Sequence, residues 1–230
     1  MKSVAKITAA LLLGAVACSP ALADPGTKVA LVPGGPHPYF AAWEQAGKDA
    51  MKDFNLGAGD YRVPQKWELA QQSTLLESLL TQGYNSFLIF PGDAVGTNAT
   101  VSEIVDNGGQ AIATAGCLKD PTPALFCLGT DTGNSAYLGT KELIKAMGGK
   151  GRIAHFTGFL VDPNTQLRID AVQKAADETN GDVTVVQVIA DIDAPQPAEE
   201  KINAYLAAHA ADVDGIVAPI SMDAGGLTLP

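Results

Sequence analysis

Residues 28–54 read KVALVPGGPHPYFAAWEQAGKDAMKDF, and this stretch decides the fold. Its first five residues form an apolar run with no polar alternation, which is typical of a strand buried on both faces of a parallel sheet. A loop rich in glycine and proline follows, and residues 39–54 have the apolar spacing of an amphipathic helix. The stretch therefore predicts one strand–loop–helix unit of an α/β fold.

The same unit recurs along the chain. Further apolar runs are SFLIF (86–90), QAIATA (110–115), LFCLG (125–129), GRIAHF (151–156), VTVVQVIA (183–190) and DGIVAPI (214–220). Helical spacing lies between them at 70–82, 95–107, 135–147, 166–180 and 198–210. A weaker strand is predicted at 61–65. Because glycine or asparagine follows the helices, the pattern predicts a doubly wound parallel α/β fold.

Residues 127–134 break this rhythm, because a strand runs directly into Gly129-Thr130-Asp131-Thr132-Gly133-Asn134. We place a hinge between two α/β lobes at this point. The N-terminal lobe then covers residues 24–130 and the C-terminal lobe residues 131–230. The alternative is a long loop within a single domain.

The first 23 residues have the organisation of a secretory signal peptide. Lys2 and Lys6 precede the apolar run 7–17, and the small-residue site Ala21-Leu22-Ala23 follows. This predicts secretion of the mature chain. A retained membrane anchor is a weaker alternative, because the run is shorter than the ~20 residues that span a bilayer. Lipid attachment at Cys18 is a second alternative.

The mature chain is acidic. Removal of the two lysines of the signal peptide leaves 13 basic and 25 acidic residues, a formal charge of −12. Such a surface repels nucleic acid and anionic lipid. In an oxidising compartment, the ten-residue separation of Cys117 and Cys127, with prolines between them, predicts a disulfide. Two unpaired buried thiols are the alternative.

Ligands of open α/β sheets bind beyond the carboxyl ends of the strands, so the loops after the apolar runs hold the candidate binding residues. The first such loop carries His37, Tyr39 and Phe40. Aromatic faces stack on the apolar faces of sugar rings, and histidine hydrogen-bonds hydroxyl groups. In the alternative interpretation, the two aromatic residues belong to the core of the first helical turn.

Two later loops carry polar candidates. Asp93 follows the run SFLIF, where its carboxylate accepts hydrogen bonds from ligand hydroxyls or caps the next helix. Asn164 and Arg168 are four residues apart in the first turns of a helix, so they share one face of it. The guanidinium of Arg168 offers two parallel donors to one polyhydroxyl ligand.

Signals of catalysis are weak. The sequence has no G-x-G-x-x-G, G-x-x-x-x-G-K-[ST], G-x-S-x-G or H-E-x-x-H motif. His37, His155 and His209 lack the spacing of a metal site, and the apolar run around His155 favours a core role. We therefore predict no catalytic residue, metal or cofactor, with a secreted α/β enzyme as the alternative class.

Five features follow one another along the chain: the signal peptide, KVALV before His37-Pro38-Tyr39-Phe40, LIFPGD at 88–93, Thr130-Asp131, and the pair Asn164 and Arg168. In this order, they resemble the type I periplasmic solute-binding proteins of ABC transporters. The resemblance is to their sugar-binding branch, with the ribose- and galactose-binding proteins. It implies a monomer whose two lobes close on a sugar or polyol and then dock on a membrane permease. It also implies ligand contacts at His37, Tyr39, Phe40, Asp131, Asn164, Arg168 and Ser221.

Two departures from this family pattern qualify the expectation. The segment 113–117 lacks the acid and the arginine or lysine of many sugar-binding relatives, which argues against ribose or galactose as the ligand. The family's fold has further strands beyond residues 215–220, so we expect the sequence to be partial and the C-terminal lobe incomplete. A periplasmic receptor for a signalling molecule or an amino acid is the alternative function.

Overall fold

The computed structural model describes residues 25–192 and 194–218. The predicted signal peptide, Cys18 and Ser221 lie outside these residues. Strands and helices alternate along the described chain, except that no helix separates the strands at residues 110–114 and 127–128. Every strand pairing in the described residues is parallel. The predicted parallel α/β fold is therefore confirmed. None of the helices in the described part of the chain has the length and apolar character needed to cross a bilayer.

The first half of the described chain forms a five-stranded sheet with the strand order β2-β1-β3-β4-β5. Its elements, in chain order, are β1 (Lys28–Val32), α1 (Ala41–Phe54), β2 (Ala58–Tyr61), α2 (Leu69–Thr81), β3 (Ser86–Ile89), α3 (Thr97–Asp106), β4 (Gln110–Thr114) and β5 (Cys127–Leu128). Apolar side chains of β1, β3 and β4 pack with α2 and α3 into one buried cluster. Burial of these side chains is the main source of stability for this sheet.

The second half forms a three-stranded sheet with the order β7-β6-β8. Its elements are α4 (Thr132–Ala146), β6 (Gly151–Phe156), α5 (Pro163–Asp177), β7 (Val183–Ile189), α6 (Pro195–His209) and β8 (Gly215–Val217). Ile153 of β6 packs in a cluster with α4 and α5, whereas Ala154 and Phe156 pack in a cluster with α6. Successive side chains of this central strand therefore contribute to two different cores.

Strand β2 was predicted at the wrong residues. It begins at Ala58, three residues before the predicted segment 61–65, and pairs with β1. A Cβ atom on Gly59 would lie 2.3 Å from the carbonyl oxygen of Gly47 in α1. Strand β2 is therefore held in place by the close packing of α1 on its backbone. It lacks the apolar run by which the other strands were recognised in the sequence.

Three helices begin three residues earlier than predicted. Helix α4 begins after Asp131, whose carboxylate accepts the backbone N–H of Asn134. Helices α5 and α6 begin at Pro163 and Pro195, where the fixed φ of proline suits the first helical position. Polar and proline residues at these starts lack the apolar spacing that marks the rest of each helix.

The predicted disulfide is present and joins Cys117 to Cys127, with 5.4 Å between the Cα atoms. It connects the loop that leaves β4 to β5 at the edge of the first sheet. The chain then passes through residues 129–131 to α4, which packs with the second sheet. This passage lies where the sequence predicts the hinge, and the lobe boundary at residue 130 remains a prediction.

Candidate ligand-binding cavity

A cavity of about 880 Å³ opens at the carboxyl ends of strands from both sheets. The first sheet contributes the loops that follow β1, β2, β3 and β4, and the second contributes the loop after β6 and the end of β8. The passage at residues 129–130, helix α4 and the first turns of α5 also contribute to the lining. This is the place where open parallel sheets bind small molecules.

Aromatic rings form one part of the lining. The ring centroid of Trp67 lies 5.6 Å from that of Phe90 and 5.5 Å from that of Phe159. Phe40 lies 5.1 Å from Phe90 and 4.9 Å from Trp43. Trp67 and Phe90 follow strands of the first sheet, whereas Phe159 follows β6, so aromatic contacts connect the two sheets across the cavity.

The loop after β1 brings this aromatic group together. The Nδ1 atom of His37 accepts the backbone N–H of Tyr39 at 3.1 Å and caps a short 3-10 turn. Phe40 is buried, while Tyr39 is 63% exposed at the cavity. A Cβ atom on Gly35 would lie 2.7 Å from the Cα atom of Trp67. The glycine therefore lets the Trp67 segment pack directly on this loop.

The first turns of α5 supply the charged part of the lining. Asp162 caps the helix by accepting the backbone N–H of Asn164 at 2.8 Å. Its carboxylate lies 4.0 Å from Nη1 of Arg168, and the two side chains are only 18% and 15% exposed. Burial raises the pKa of Asp162, although the cap and Arg168 oppose that shift. The pair thus brings opposite charges to the cavity wall with little exposure to solvent.

The carboxamide of Asn164 bridges the two sheets. Its Nδ2 atom donates to the carbonyl oxygen of Ala115, just after β4, at 2.9 Å. Its Oδ1 atom accepts the hydroxyl of Thr132, at the start of α4, at 3.2 Å. Asn164 is 8% exposed, so both bonds lie largely out of water.

His155 lies in β6, fully buried. Burial lowers the pKa of its ring to about 4, and the positive charge of Arg168 adds to the shift. Within the described part of the chain, neither ring nitrogen has a hydrogen-bond partner. The predicted core position of His155 is correct, and its ring is neutral at pH 7.

Of the ligand-binding residues that the sequence predicts, five line this cavity: His37, Tyr39, Phe40, Asn164 and Arg168. Asp93 and Asp131 do not line it. Asp93 Oδ1 accepts the backbone N–H groups of Val95 and Gly96, before α3, and Asp131 caps α4. Asp93 thus stabilises the turn that leads into α3, whereas the N-cap position of that helix is Gly96 and has no side-chain capping bond.

Sequence reasoning missed several residues of the lining, notably Trp67, Phe90, Thr132, Phe159 and Asp162. Phe90 and Phe159 follow strands β3 and β6, so the rule used for the other candidates also applies to them. Trp67 was missed because the strand before it, predicted at 61–65, gave only a weak signal. With β2 ending at Tyr61, Trp67 lies in the loop at the carboxyl edge of the sheet.

No group of three or more His, Cys, Asp or Glu side chains in residues 25–192 and 194–218 is arranged to hold a metal ion. Among the described lining residues, the formally charged side chains are Arg168 and Asp162. Because their formal charges are opposite, the described lining has no formal net charge. Such a lining suits a neutral polar ligand better than an ion.

Comparison with known proteins places these features in context. The sequence profile described as periplasmic binding protein domain matches residues 29–228. No curated protein matches the chain significantly. A solved ABC transporter solute binding protein from Burkholderia graminis C4D1M, in complex with D-arabinose, superposes with a TM-score of 0.78 at 20% identity. The match covers 86% of this chain and 67% of that chain.

Two further structures give similar results. An ABC transporter periplasmic solute binding protein from Actinobacillus succinogenes 130z, with bound D-allose, has a TM-score of 0.75 at 22% identity. A glucose-galactose binding protein from Geobacillus stearothermophilus has a TM-score of 0.74 at 20% identity. Each match covers 87% of this chain and 71% of the other chain. At these identities, the likenesses show a shared fold.

Proposed function

The chain belongs to the periplasmic binding protein domain family, and from this premise we propose that it is the substrate-binding component of a bacterial ABC importer. Its ligand is a sugar or polyol, held in the cavity between two lobes. The observation that carries this proposal is the combination of aromatic rings with Arg168 in one cavity that draws on both sheets.

The chemistry of the lining matches that of a sugar. A pyranose or furanose has apolar C–H faces, which stack on rings such as Trp67, Phe90 and Phe159. It also has a rim of hydroxyl groups, which accept the forked N–H donors of a guanidinium. The near-neutral lining favours an uncharged ligand. The sugars bound to the Burkholderia and Actinobacillus structures support the same class.

The proposed mechanism is closure of the lobes about residues 129–131, with ligand hydroxyls replacing water in the cavity. A ligand shifts this equilibrium only if it binds the closed arrangement more tightly than the open one. The closed monomer then docks on a membrane permease. In this proposal, residues 1–23 direct the chain to the periplasm, residues 24–130 and 131–230 form the lobes, and the chain performs no catalysis.

A thermal-shift screen of the protein against sugars, polyols and amino acids tests this function. A ligand at ~100 times its dissociation constant adds about 2.7 kcal/mol to the free energy of unfolding. We expect stabilisation by neutral sugars or polyols. Stabilisation by amino acids alone would favour the sensory or amino-acid alternative, and no stabilisation by any sugar or polyol would contradict the proposal.

The aromatic contribution is tested on the compounds that stabilise the protein. The variant Trp67→Leu removes a flat face from the cavity and should weaken their binding. Phe126→Leu is the matched control, because Phe126 is 54% exposed and does not line the cavity. Equal binding by the two variants would remove Trp67 from the proposed site.

A further inference from the structure

One hydrogen bond in the cavity wall joins the two sheets directly. Its acceptor is the carbonyl oxygen of Ala115, which follows β4 of the first sheet. Its donor is Asn164, in the first turn of α5, which packs on the second sheet. The N···O distance is 2.9 Å. Because such a bond weakens steeply beyond about 3.5 Å, a small separation of the sheets at this point breaks it.

The carboxamide of Asn164 is held in the orientation that this bond needs. An asparagine side chain has a donor end and an acceptor end. The hydroxyl of Thr132 lies 3.2 Å from Oδ1 and 3.3 Å from the carbonyl oxygen of Thr130. The single hydroxyl proton is shared between these two acceptors, and its interaction with Oδ1 orients the amide with the NH₂ group toward Ala115. Both ends of the amide are therefore bonded to protein groups.

The acceptor is presented by an unusual backbone conformation. Ala115 has a φ of +64°, in the left-handed region that residues with a side chain rarely adopt. Its own N–H donates to the carbonyl oxygen of Leu128 at 2.7 Å, which holds it at the edge of the first sheet. Strained residues persist only where the surrounding structure fixes them. In this conformation, the carbonyl group of Ala115 faces Asn164, on the side of the second sheet.

The neighbouring residue allows α5 to approach this carbonyl. A Cβ atom on Gly116 would lie 2.9 Å from Cγ of Pro163, the first residue of α5, and 2.9 Å from Cε2 of Phe90. Only a residue without a side chain fits between the helix start and the aromatic ring. The backbone conformation of Ala115, the start of α5 at Pro163 and the orientation of the Asn164 amide thus all favour the same hydrogen bond.

From this convergence we propose that Asn164 is an interlobe latch, whose hydrogen bond to Ala115 favours the closed arrangement independently of any ligand. The role deepens the proposed function and rests on it, because the latch sets the fraction of molecules competent to retain a ligand. The apparent dissociation constant equals the intrinsic one divided by that fraction. A residue that only contacted ligand would leave the fraction unchanged.

The variant Asn164→Asp tests the latch with almost no change of volume, because it replaces the NH₂ donor with a carboxylate oxygen that the Ala115 carbonyl repels. Spin labels at Lys52→Cys in α1 and Lys145→Cys in α4, both exposed, report the distance between the lobes by pulsed EPR. Without added sugar, we expect the ratio of closed to open molecules to fall roughly three- to tenfold, as for one neutral hydrogen bond.

Asn134→Asp is the matched control, since it makes the same substitution at an exposed position in the first turn of α4. Identical distance distributions for the two variants would overturn the proposal. Thr132→Val provides a second test in case Asn164→Asp fails to fold. It removes the orienting hydroxyl and should shift the distribution in the same direction by a smaller amount. No shift in a folded Thr132→Val would then overturn it.

The two proposals fail in different ways. A wild-type protein that no sugar or polyol stabilises contradicts the proposed function, whereas the distances measured without sugar still test the latch. Unchanged distances combined with weaker sugar binding by Asn164→Asp would overturn the latch and assign Asn164 a direct ligand contact.

Discussion

Arg168 brings to the cavity a positive charge whose position is set by the protein. Its guanidinium group lies 4.0 Å from the carboxylate of Asp162, which itself caps α5. The side chain is 15% exposed, so little water competes for its donors. Charge-assisted hydrogen bonds in such surroundings are about twice as strong as those between neutral groups. Arg168 is therefore the strongest single candidate for a polar contact to the ligand.

We expect Arg168→Ala to weaken sugar binding by about 1.5–3 kcal/mol, the contribution of a hydrogen bond from a charged donor. Isothermal titration calorimetry with a sugar from the screen measures this loss. The substitution also leaves the buried carboxylate of Asp162 without its cation, so the melting temperature should fall.

Arg168→Lys separates these two effects. It keeps a positive charge near Asp162 but loses the planar fork, so affinity should fall while stability stays closer to that of the wild type. Unchanged affinity in Arg168→Ala would exclude a direct contact between Arg168 and the ligand.

A residue of the cavity could be predicted from the sequence when the strand before it could also be recognised there. His37, Phe40 and Arg168 were found in this way. Trp67 was not, because the strand before it has no apolar pattern. The bond from Asn164 to Ala115 was also beyond sequence reasoning, since it depends on the backbone conformation of one residue and on the relative position of two sheets.

Helix α4 begins at the passage between the sheets, and its cap explains Asp131 without a ligand. The carboxylate accepts the backbone N–H of Asn134 at 2.9 Å, so it satisfies one of the N–H groups that the first helical turn leaves unpaired. The negative charge also interacts favourably with the helix dipole. The family resemblance implied a ligand contact at this residue.

Asp131→Ala should lower the free energy of unfolding by about 1 kcal/mol, as loss of an N-cap does, and should leave the affinity for sugar unchanged within about twofold. Urea unfolding and calorimetry measure the two quantities. Asp131→Asn keeps a capping oxygen and is the matched control. Weaker sugar binding with unchanged stability in Asp131→Ala would instead support the ligand contact.

Apolar pattern decided which strands and helices were predictable. Strands β1 and β6 match the predicted segments from end to end, because they are buried between helices and consist largely of apolar residues. Strand β2, with the sequence Ala-Gly-Asp-Tyr, was placed too late in the sequence. Its position depends on the packing of Gly59 against Gly47, a contact between residues 12 apart that has no local signal.

Stability of the whole molecule should depend on the protonation of His155. The ring is buried in β6, and burial together with Arg168 lowers its pKa from 6.5 to about 4. Between these two values, the unfolded chain binds a proton that the folded chain does not. This contribution to the free energy of unfolding is complete above pH 6.5 and is lost as the pH falls toward about 4.

The expected loss across this window is roughly 3 kcal/mol from His155 alone. Urea unfolding at a series of pH values measures it. Carboxyl groups titrate in the same range, so the informative quantity is the difference between variants. His155→Gln should flatten the profile, whereas His209→Gln, at an exposed position, should not. Equal profiles for the two variants would show that His155 is not the buried titrating group.

The contact between Trp67 and Phe159 has a spectroscopic consequence. The chain has two tryptophans, Trp43 and Trp67, and both line the cavity. The indole of Trp67 rests against a ring of the other sheet and donates to the carbonyl oxygen of Gly92 at 3.1 Å. Separation of the sheets would expose this indole to water and shift its fluorescence emission to longer wavelengths. Trp67 is thus an intrinsic optical reporter for the proposed opening of the lobes, with no dye attached.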